Sequence, residues 1–146
     1  MKKIVLVTGG FDPIHSGHIE YFKEAKRIGD KLIVGLNSDA WLERKKGRAF
    51  MPYQEREAIV FNLKFVDSVY SFDDSDGSAI EFIKSIIKKY PNDEIIFVNG
   101  GDRTQENIPE MCFDNVEFIF GVGGFDKKNS SSKIVKEYKS DKTNRP

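Results

Sequence analysis

The sequence predicts an α/β fold, in which one domain holds a doubly wound parallel sheet of five strands with helices on both faces. Short runs rich in Val and Ile alternate with longer stretches whose apolar residues recur every three or four positions. These are the periodicities of strand and helix. The first run, Lys3 to Thr8, is apolar without alternation, as in strands buried on both faces of a parallel sheet. A length of 146 residues is that of a single domain.

Four more strands follow the first, which Gly9 and Gly10 end. They correspond to "KLIVGLN" (31–37), "DSVYSF" (67–72), "EIIFVNGGD" (94–102) and "VEFIF" (116–120). Because strands and helices alternate, each connection is expected to cross over between parallel neighbours.

Five helices are predicted between and after the strands. The first, from 18 to 28, has an apolar stripe formed by Ile19, Phe22, Ala25 and Ile28, and Gly29 ends it. The others cover 38–47, 52–65 with Pro52 in the first turn, 74–90 with lysines at its end, and 130–138 with serines at its start. The folded core is therefore expected to span 1–138, with a frayed tail over 139–146.

Charge and composition exclude several classes of partner. Lys plus Arg and Asp plus Glu both number 23, so no net charge attracts the chain to nucleic acid or to a membrane surface. No segment has the apolar length of a membrane span. The single cysteine, Cys112, cannot form an intrachain disulfide. These features favour the cytoplasm as the location.

Ligands of such sheets bind beyond the carboxyl ends of the strands. The segments expected there are "TGGFD", "LNSD", "VNGGD" and "GVGGFD". Glycines in three of these four segments allow a ligand to approach the backbone closely.

Both histidines of the chain lie in "GGFDPIHSGH", between the first strand and the first helix. A glycine-rich loop and a helix N-terminus together favour an anion such as phosphate. His15 and His18 are three positions apart, so both imidazoles can face one spot and donate hydrogen bonds to it. Three alternatives remain open from the residues alone: Ser16 caps the helix beside exposed histidines, one histidine belongs to the core, or the pair binds a metal with Asp12 as a third ligand.

The stretch matches every fixed position of the G-x-F-D-x-x-H-x-G-H motif. It therefore resembles the nucleotidyltransferase superfamily that includes cytidylyltransferases and small adenylyltransferases. Further segments are similar to heptose 1-phosphate nucleotidyltransferase domains and glycerol-3-phosphate cytidylyltransferases, namely "GDKLIVGLNSD", "KKG", "QER", "VNGGD" and "NSSSKI". The resemblance runs in order from Lys3 to Ile134 and covers nearly the whole chain, which implies a Rossmann-like nucleotidyltransferase domain.

The resemblance implies transfer of a nucleoside monophosphate from ATP or CTP to a small phosphorylated acceptor, with release of pyrophosphate. His15, His18 and Lys46 would be catalytic, with Lys45 as the rival lysine. The nucleotide would be bound by Gly9, Gly10, Phe11, Asp12, Gly17, Gly100, Gly101, Asp102, Ser130, Ser131 and Ser132. The acceptor would be bound by Asp39, Arg56 and Arg103. Mg²⁺ would be bound to the triphosphate rather than in a site made by the protein. Related folds often form homodimers, so a homodimer is the expected assembly.

The acceptor is less defined than the reaction. Glycerol-phosphate enzymes carry an Arg five residues before their final Ser-Thr-Thr, where this chain has Phe125, and this favours the heptose-phosphate type. The segment between Gly47 and Pro52 is shorter than in the heptose enzymes. The alternatives are a nicotinate or nicotinamide mononucleotide adenylyltransferase, a non-catalytic nucleotide sensor, and a metal-binding domain that uses the histidine pair.

Overall fold

The structure, a computed structural model, describes residues 1–100 and 108–122. Five strands run in chain order as β1 (Lys3–Gly9), β2 (Lys31–Leu36), β3 (Ser68–Tyr70), β4 (Glu94–Gly100) and β5 (Val116–Val122). Four helices lie between them, α1 (Ser16–Lys26), α2 (Asp39–Lys46), α3 (Tyr53–Phe61) and α4 (Ile80–Lys89), and a short 3-10 helix covers Pro109–Cys112.

All five strands are parallel and follow the order β3-β2-β1-β4-β5. β1 lies at the centre, where Val5 pairs with Leu32 of β2 on one side and with Ile96 of β4 on the other. The chain order reverses at β1, and such a switch point opens a crevice at the carboxyl ends of the strands. The predicted doubly wound, Rossmann-like α/β fold is thereby confirmed.

The sheet is buried on both faces. On one face, Phe22 and Ala25 of α1 and Val60 of α3 pack against the sheet. On the other face, Phe82 and Ile83 of α4 do so. Successive residues of β1 from Ile4 to Val7 alternate between the two clusters, which explains why the strand is apolar at each of these four positions.

Two helices, α3 and α4, are at least five residues shorter than the sequence predicts. α4 begins at Ile80 rather than near 74, because the Asp76 carboxylate accepts hydrogen bonds from the Ser78 amide and hydroxyl, and Gly77 has a φ of 83°. These contacts form a turn that competes with helix. α3 ends at Phe61 rather than at 65.

The predicted helix over 130–138 and the tail over 139–146 lie outside the described residues. In the two described segments, each helix is too short or too polar to cross a bilayer.

Candidate active site

The two histidines close the N-terminus of α1. His15 is the N-cap residue, and its Nδ1 accepts a hydrogen bond from the Gly17 amide at 3.1 Å. His18 reaches back, and its Nδ1 accepts from the His15 amide at 3.2 Å. The pair forms a capping box in which imidazoles replace the usual hydroxyl and carboxylate. Ser16 is the first residue of the helix and not its cap, so the alternative in which Ser16 caps the helix is wrong.

This capping box determines the tautomer of each ring. Because both Nδ1 atoms accept backbone hydrogen bonds, the proton of each neutral ring lies on Nε2. The rings stack with centroids 3.8 Å apart and planes inclined by 27°. Two Nε2–H donors are therefore held side by side at the positive end of a helix dipole, where an anion is favoured.

Phe11 supports the pair from within the core. Its side chain is buried, and its ring meets that of His18 edge-on with centroids 4.9 Å apart. Its φ of 50° is in the left-handed region, which a bulky residue adopts only when its surroundings hold it there. A Cβ on Gly9 would lie 2.8 Å from this ring. Gly9 therefore has a packing function, in addition to the backbone approach predicted from sequence.

Asp12 connects the histidine loop to the segment after α2. Its carboxylate is buried and accepts hydrogen bonds from the amides of Phe50 at 2.5 Å and Met51 at 2.6 Å. Lys46 Nζ lies 3.3 Å from the same carboxylate and also donates to the Asp12 carbonyl oxygen. Asp12 thus orients this loop and Lys46 toward each other.

The two candidate lysines differ in direction. Lys46 reaches the loop that carries both histidines, through Asp12. Lys45 Nζ instead lies over the ring of Trp41, 4.5 Å from its centroid. The structure brings Lys46 to the histidine loop and places Lys45 against Trp41.

Arg56 is fully buried and holds three loops together. Its Nε donates to the Met51 carbonyl at 3.0 Å, and its Nη1 donates to the carbonyls of Gly10 at 2.9 Å and Asn37 at 2.8 Å. Its Nη2 pairs with the Asp39 carboxylate at 2.6 Å. Arg56 is therefore engaged with the backbone of the site, where the sequence predicted a contact with the acceptor.

Asp39 lies at the rim of a cavity at the carboxyl ends of β2 and β3. The cavity has a volume of about 330 Å³ and is lined by Leu36, Ser38, Asp39, Tyr53, Ser71 and Phe72. The Asp39 side chain is 42% exposed, although Arg56 binds its Oδ1. The Tyr53 hydroxyl is buried beside the side chains of Glu57 and Ser71. Burial and the nearby Glu57 carboxylate raise the pKa of Tyr53 to about 12.

The remaining predicted residues fall into two groups. Gly17 donates its amide to the His15 ring, and Gly100 pairs with Val122 at the ends of β4 and β5. The others lie outside the described residues, namely Gly101, Asp102, Arg103, Ser130, Ser131 and Ser132.

A protein-made metal site does not fit the residues that the structure describes. In residues 1–100 and 108–122, no three His, Cys, Asp or Glu side chains come together. Asp12, the third ligand considered for the histidine pair, directs its carboxylate to two amides and Lys46. Both Nδ1 atoms of the pair already accept backbone hydrogen bonds.

Comparison with known proteins identifies a family and several relatives. A family model described as cytidylyltransferase-like matches residues 6–138. The bifunctional protein HldE of Syntrophotalea carbinolica is 36% identical over 94% of the chain, and that of Campylobacter jejuni is 39% identical over 97%. The chain spans 28% and 29% of the length of these two relatives.

Solved structures share the fold. A lipopolysaccharide core biosynthesis protein from Thermoplasma volcanium matches with a TM-score of 0.67 and 24% identity, covering 88% of this chain and 100% of that one. A bifunctional NMN adenylyltransferase/ADP ribose pyrophosphatase from Francisella tularensis matches with a TM-score of 0.69 and 18% identity, covering 96% of this chain and 43% of that one. With the family model matching most of its length, the chain belongs to the cytidylyltransferase-like family of nucleotidyltransferases.

Proposed function

We propose that this domain transfers a nucleoside monophosphate, AMP first among the candidates, from a nucleoside triphosphate to a small sugar phosphate and releases pyrophosphate. The observation that carries the proposal is the stacked His15 and His18 pair, with both Nε2–H groups at the N-terminus of α1. Two parallel donors on a helix dipole suit a phosphate group. Similarity to heptose 1-phosphate nucleotidyltransferase domains makes heptose 1-phosphate the first acceptor to test.

The reaction needs no nucleophilic side chain. A phosphate oxygen of the acceptor attacks the α-phosphorus of the triphosphate, the bond from that phosphorus to the bridging oxygen breaks, and pyrophosphate leaves with the electron pair. Since the attacking oxygen is already anionic, catalysis consists of positioning the reactants and stabilising charge on the transferring phosphoryl group.

Three side chains supply that stabilisation in the proposal. His15 and His18 donate from Nε2 to non-bridging oxygens at the α-phosphorus. Lys46 adds a positive charge from the end of α2, and its 3.3 Å distance to the Asp12 carboxylate supports its choice over Lys45. Asp12 acts through Lys46 and is a positioning residue.

In the proposal, Mg²⁺ would bind to the domain together with the triphosphate. Mg²⁺ retains water and phosphate oxygens as ligands and needs few protein carboxylates. It neutralises part of the phosphate charge when bound. The binding of the triphosphate by Gly100 to Asp102 and by Ser130 to Ser132 stays a prediction, as do the cytoplasmic location and the homodimer.

The test is pyrophosphate release from ATP or CTP with heptose 1-phosphate, other sugar 1-phosphates, glycerol 3-phosphate and nicotinamide mononucleotide as separate acceptors. Release with ATP and a sugar 1-phosphate is the expected result. Release of pyrophosphate with nicotinamide mononucleotide alone would show that the acceptor is a mononucleotide and not a sugar phosphate. The proposed transfer of a nucleoside monophosphate would still hold. Binding of ATP without turnover of any acceptor would identify a nucleotide sensor and contradict the proposal.

A further inference from the structure

Arg48 is a cation beside the candidate active site that the proposed chemistry does not use. Within residues 1–100 and 108–122, no hydrogen bond, ion pair or ring contact engages its guanidinium, and the residue is exposed. The other arginines in these ranges all have partners: Arg27 pairs with a glutamate, Arg44 donates to a carbonyl oxygen, and Arg56 holds the loops of the site. The Arg48 guanidinium is therefore available to an anionic ligand.

We propose that Arg48 binds the phosphate group of the acceptor and holds it beside the histidine pair. This inference rests on the proposed function and adds a binding residue to those predicted from the sequence. A guanidinium presents two parallel N–H groups that match two oxygens of a phosphate. The phosphate of a monoester acceptor has three terminal oxygens, so one can attack while the other two meet Arg48.

The backbone on both sides of Arg48 is fixed to the histidine loop. α2 ends two residues earlier at Lys46, whose Nζ lies 3.3 Å from the Asp12 carboxylate. Shortly after Arg48, the amides of Phe50 and Met51 donate to the same carboxylate at 2.5 Å and 2.6 Å. Since two residues span at most ~7 Å, the Arg48 Cα is held near both anchors and thus near the loop that carries the histidines.

Gly47 gives the Arg48 side chain room to reach a ligand. It caps α2 in the left-handed conformation with a φ of 92°, and its amide donates to the Glu43 carbonyl oxygen at 2.9 Å. A Cβ built on Gly47 would have no atom of the described residues within 4 Å. The chain therefore leaves the helix at an open position. Arg48 follows at once, and its exposed side chain can close on a ligand without a change in the fold.

The charges already present at the site are balanced. One ion pair joins Lys46 to Asp12, which follows β1, and another joins Arg56 to Asp39, which follows β2. Each pair is neutral as a whole. A phosphate monoester carries a charge of about −1.5 to −2 at pH 7, and these pairs do not offset it. Arg48 supplies the positive charge that the two pairs lack.

The order of the strands assigns Arg48 to the acceptor rather than to the nucleotide. The predicted nucleotide turn begins at Gly100, at the end of β4, and β4 lies on one side of β1. Arg48 lies between α2 and α3, which connect β2 to β3 on the other side of β1. The histidine pair follows β1 and is therefore between the two. Arg48 is on the side that the predicted nucleotide turn leaves open to the acceptor.

The experiment measures the steady-state kinetics of Arg48→Gln and Arg48→Lys, with heptose 1-phosphate and ATP varied separately. Arg27→Gln, at the C-terminal end of α1, is the matched control. Arg48→Gln is expected to raise KM for heptose 1-phosphate about tenfold, as for a lost hydrogen bond to a charged group. Arg48→Lys keeps the charge without the paired N–H groups, so a rise of about threefold is expected. KM for ATP should stay unchanged, and Arg27→Gln should match the wild-type protein in both constants.

Three kinetic results overturn the inference. They are an unchanged KM for heptose 1-phosphate in Arg48→Gln, an equal rise in KM for ATP, or a fall in kcat with both Michaelis constants unchanged. The second result would place Arg48 at the triphosphate, and the third would place it at the transferring group. The midpoint of thermal unfolding should be the same in Arg48→Gln and in the wild-type protein. A lowered midpoint would reveal a structural contact of Arg48 and contradict the inference.

A second readout does not need turnover. Isothermal titration calorimetry, with an α,β-methylene analogue of ATP present, measures dissociation constants of heptose 1-phosphate, glycerol 3-phosphate and nicotinamide mononucleotide for the wild-type protein and Arg48→Gln. A constant that rises about tenfold in the variant supports the inference even if no pyrophosphate is ever released and the proposed function has failed. Equal constants, together with normal pyrophosphate release, retain the proposed function and overturn the inference. Binding of none of the three compounds to the wild-type protein also overturns it.

Discussion

Arg56 donates a hydrogen bond from Nη1 to the carbonyl oxygen of Gly10 at 2.9 Å, and this contact joins the buried face of α3 to the loop that carries both histidines. The guanidinium also holds Asn37 and Asp39, which follow β2. Two neighbouring strand ends of the sheet thus share one buried cation. Because the phosphate side and the cavity side of the site both depend on it, Arg56 couples the stability of the fold to the geometry of the site.

Replacement of Arg56 is expected to cost much of the domain's stability. In Arg56→Ala three carbonyls lose their donor and Asp39 loses its counter-ion, so the free energy of unfolding should fall by about 3–5 kcal/mol. Arg56→Lys keeps the charge but not the planar set of donors, and about 1–3 kcal/mol should be lost. Urea unfolding measures both values.

Arg27 provides the matched control for Arg56. Its side chain is 65% exposed and pairs with Glu24 at 3.2 Å on the surface of the protein. Arg27→Ala should change the free energy of unfolding by less than about 0.5 kcal/mol. If Arg56→Ala were equally mild, the buried network would not stabilise the fold as described.

The capping box separates the structural contribution of each histidine from its chemical one. Asn is a good N-cap and Gln is a good N3 residue, so His15→Asn and His18→Gln should retain the free energy of unfolding to within about 1 kcal/mol. Each variant lacks one of the two imidazole Nε2–H donors. Pyrophosphate release should therefore fall about 10²- to 10³-fold.

His15→Ala is the comparison for these variants, since it removes the cap as well and should cost about 1 kcal/mol of stability. Wild-type turnover in either His15→Asn or His18→Gln would show that the imidazole in question does not touch the reacting phosphate.

Local sequence patterns predicted the sheet and the histidine pair, because both depend on neighbours along the chain. Alternation of strands and helices is visible in the periodicity, and a three-residue spacing at a helix start brings two side chains together. The N-cap was less predictable, since His15 takes a position that Ser16 also suits by residue type.

Long-range contacts determine the rest of the site and leave no local pattern. Asp12 finds its partners at Phe50 and Met51, 38 and 39 positions away. Arg56 lies between two glutamates in sequence, yet its carboxylate partner is Asp39 from another helix. The one local sign of its burial is a spacing of four positions from the buried Val60.

The two lysines at the end of α2 should differ in their effect on turnover. Lys46→Gln removes the cation that reaches Asp12, and turnover should fall about 10²-fold. Lys45→Gln removes a cation–π contact with Trp41, worth ~0.5–1 kcal/mol of stability at an exposed site, and turnover should be retained. Steady-state pyrophosphate assays distinguish the two, and the reverse ranking would assign catalysis to Lys45.

Tyr53 should ionise later than an ordinary tyrosine. Burial and the Glu57 carboxylate raise its pKa from 10.0 to about 12. Because the folded state resists ionisation, this group's contribution to stability is complete below pH 10 and is lost as the pH rises through 12. In an ultraviolet titration of the five tyrosines, one late step is expected, and Tyr53→Phe should remove it. A late step that persists in Tyr53→Phe would assign the late ionisation to another tyrosine. Tyr90→Phe is the control and should retain the step.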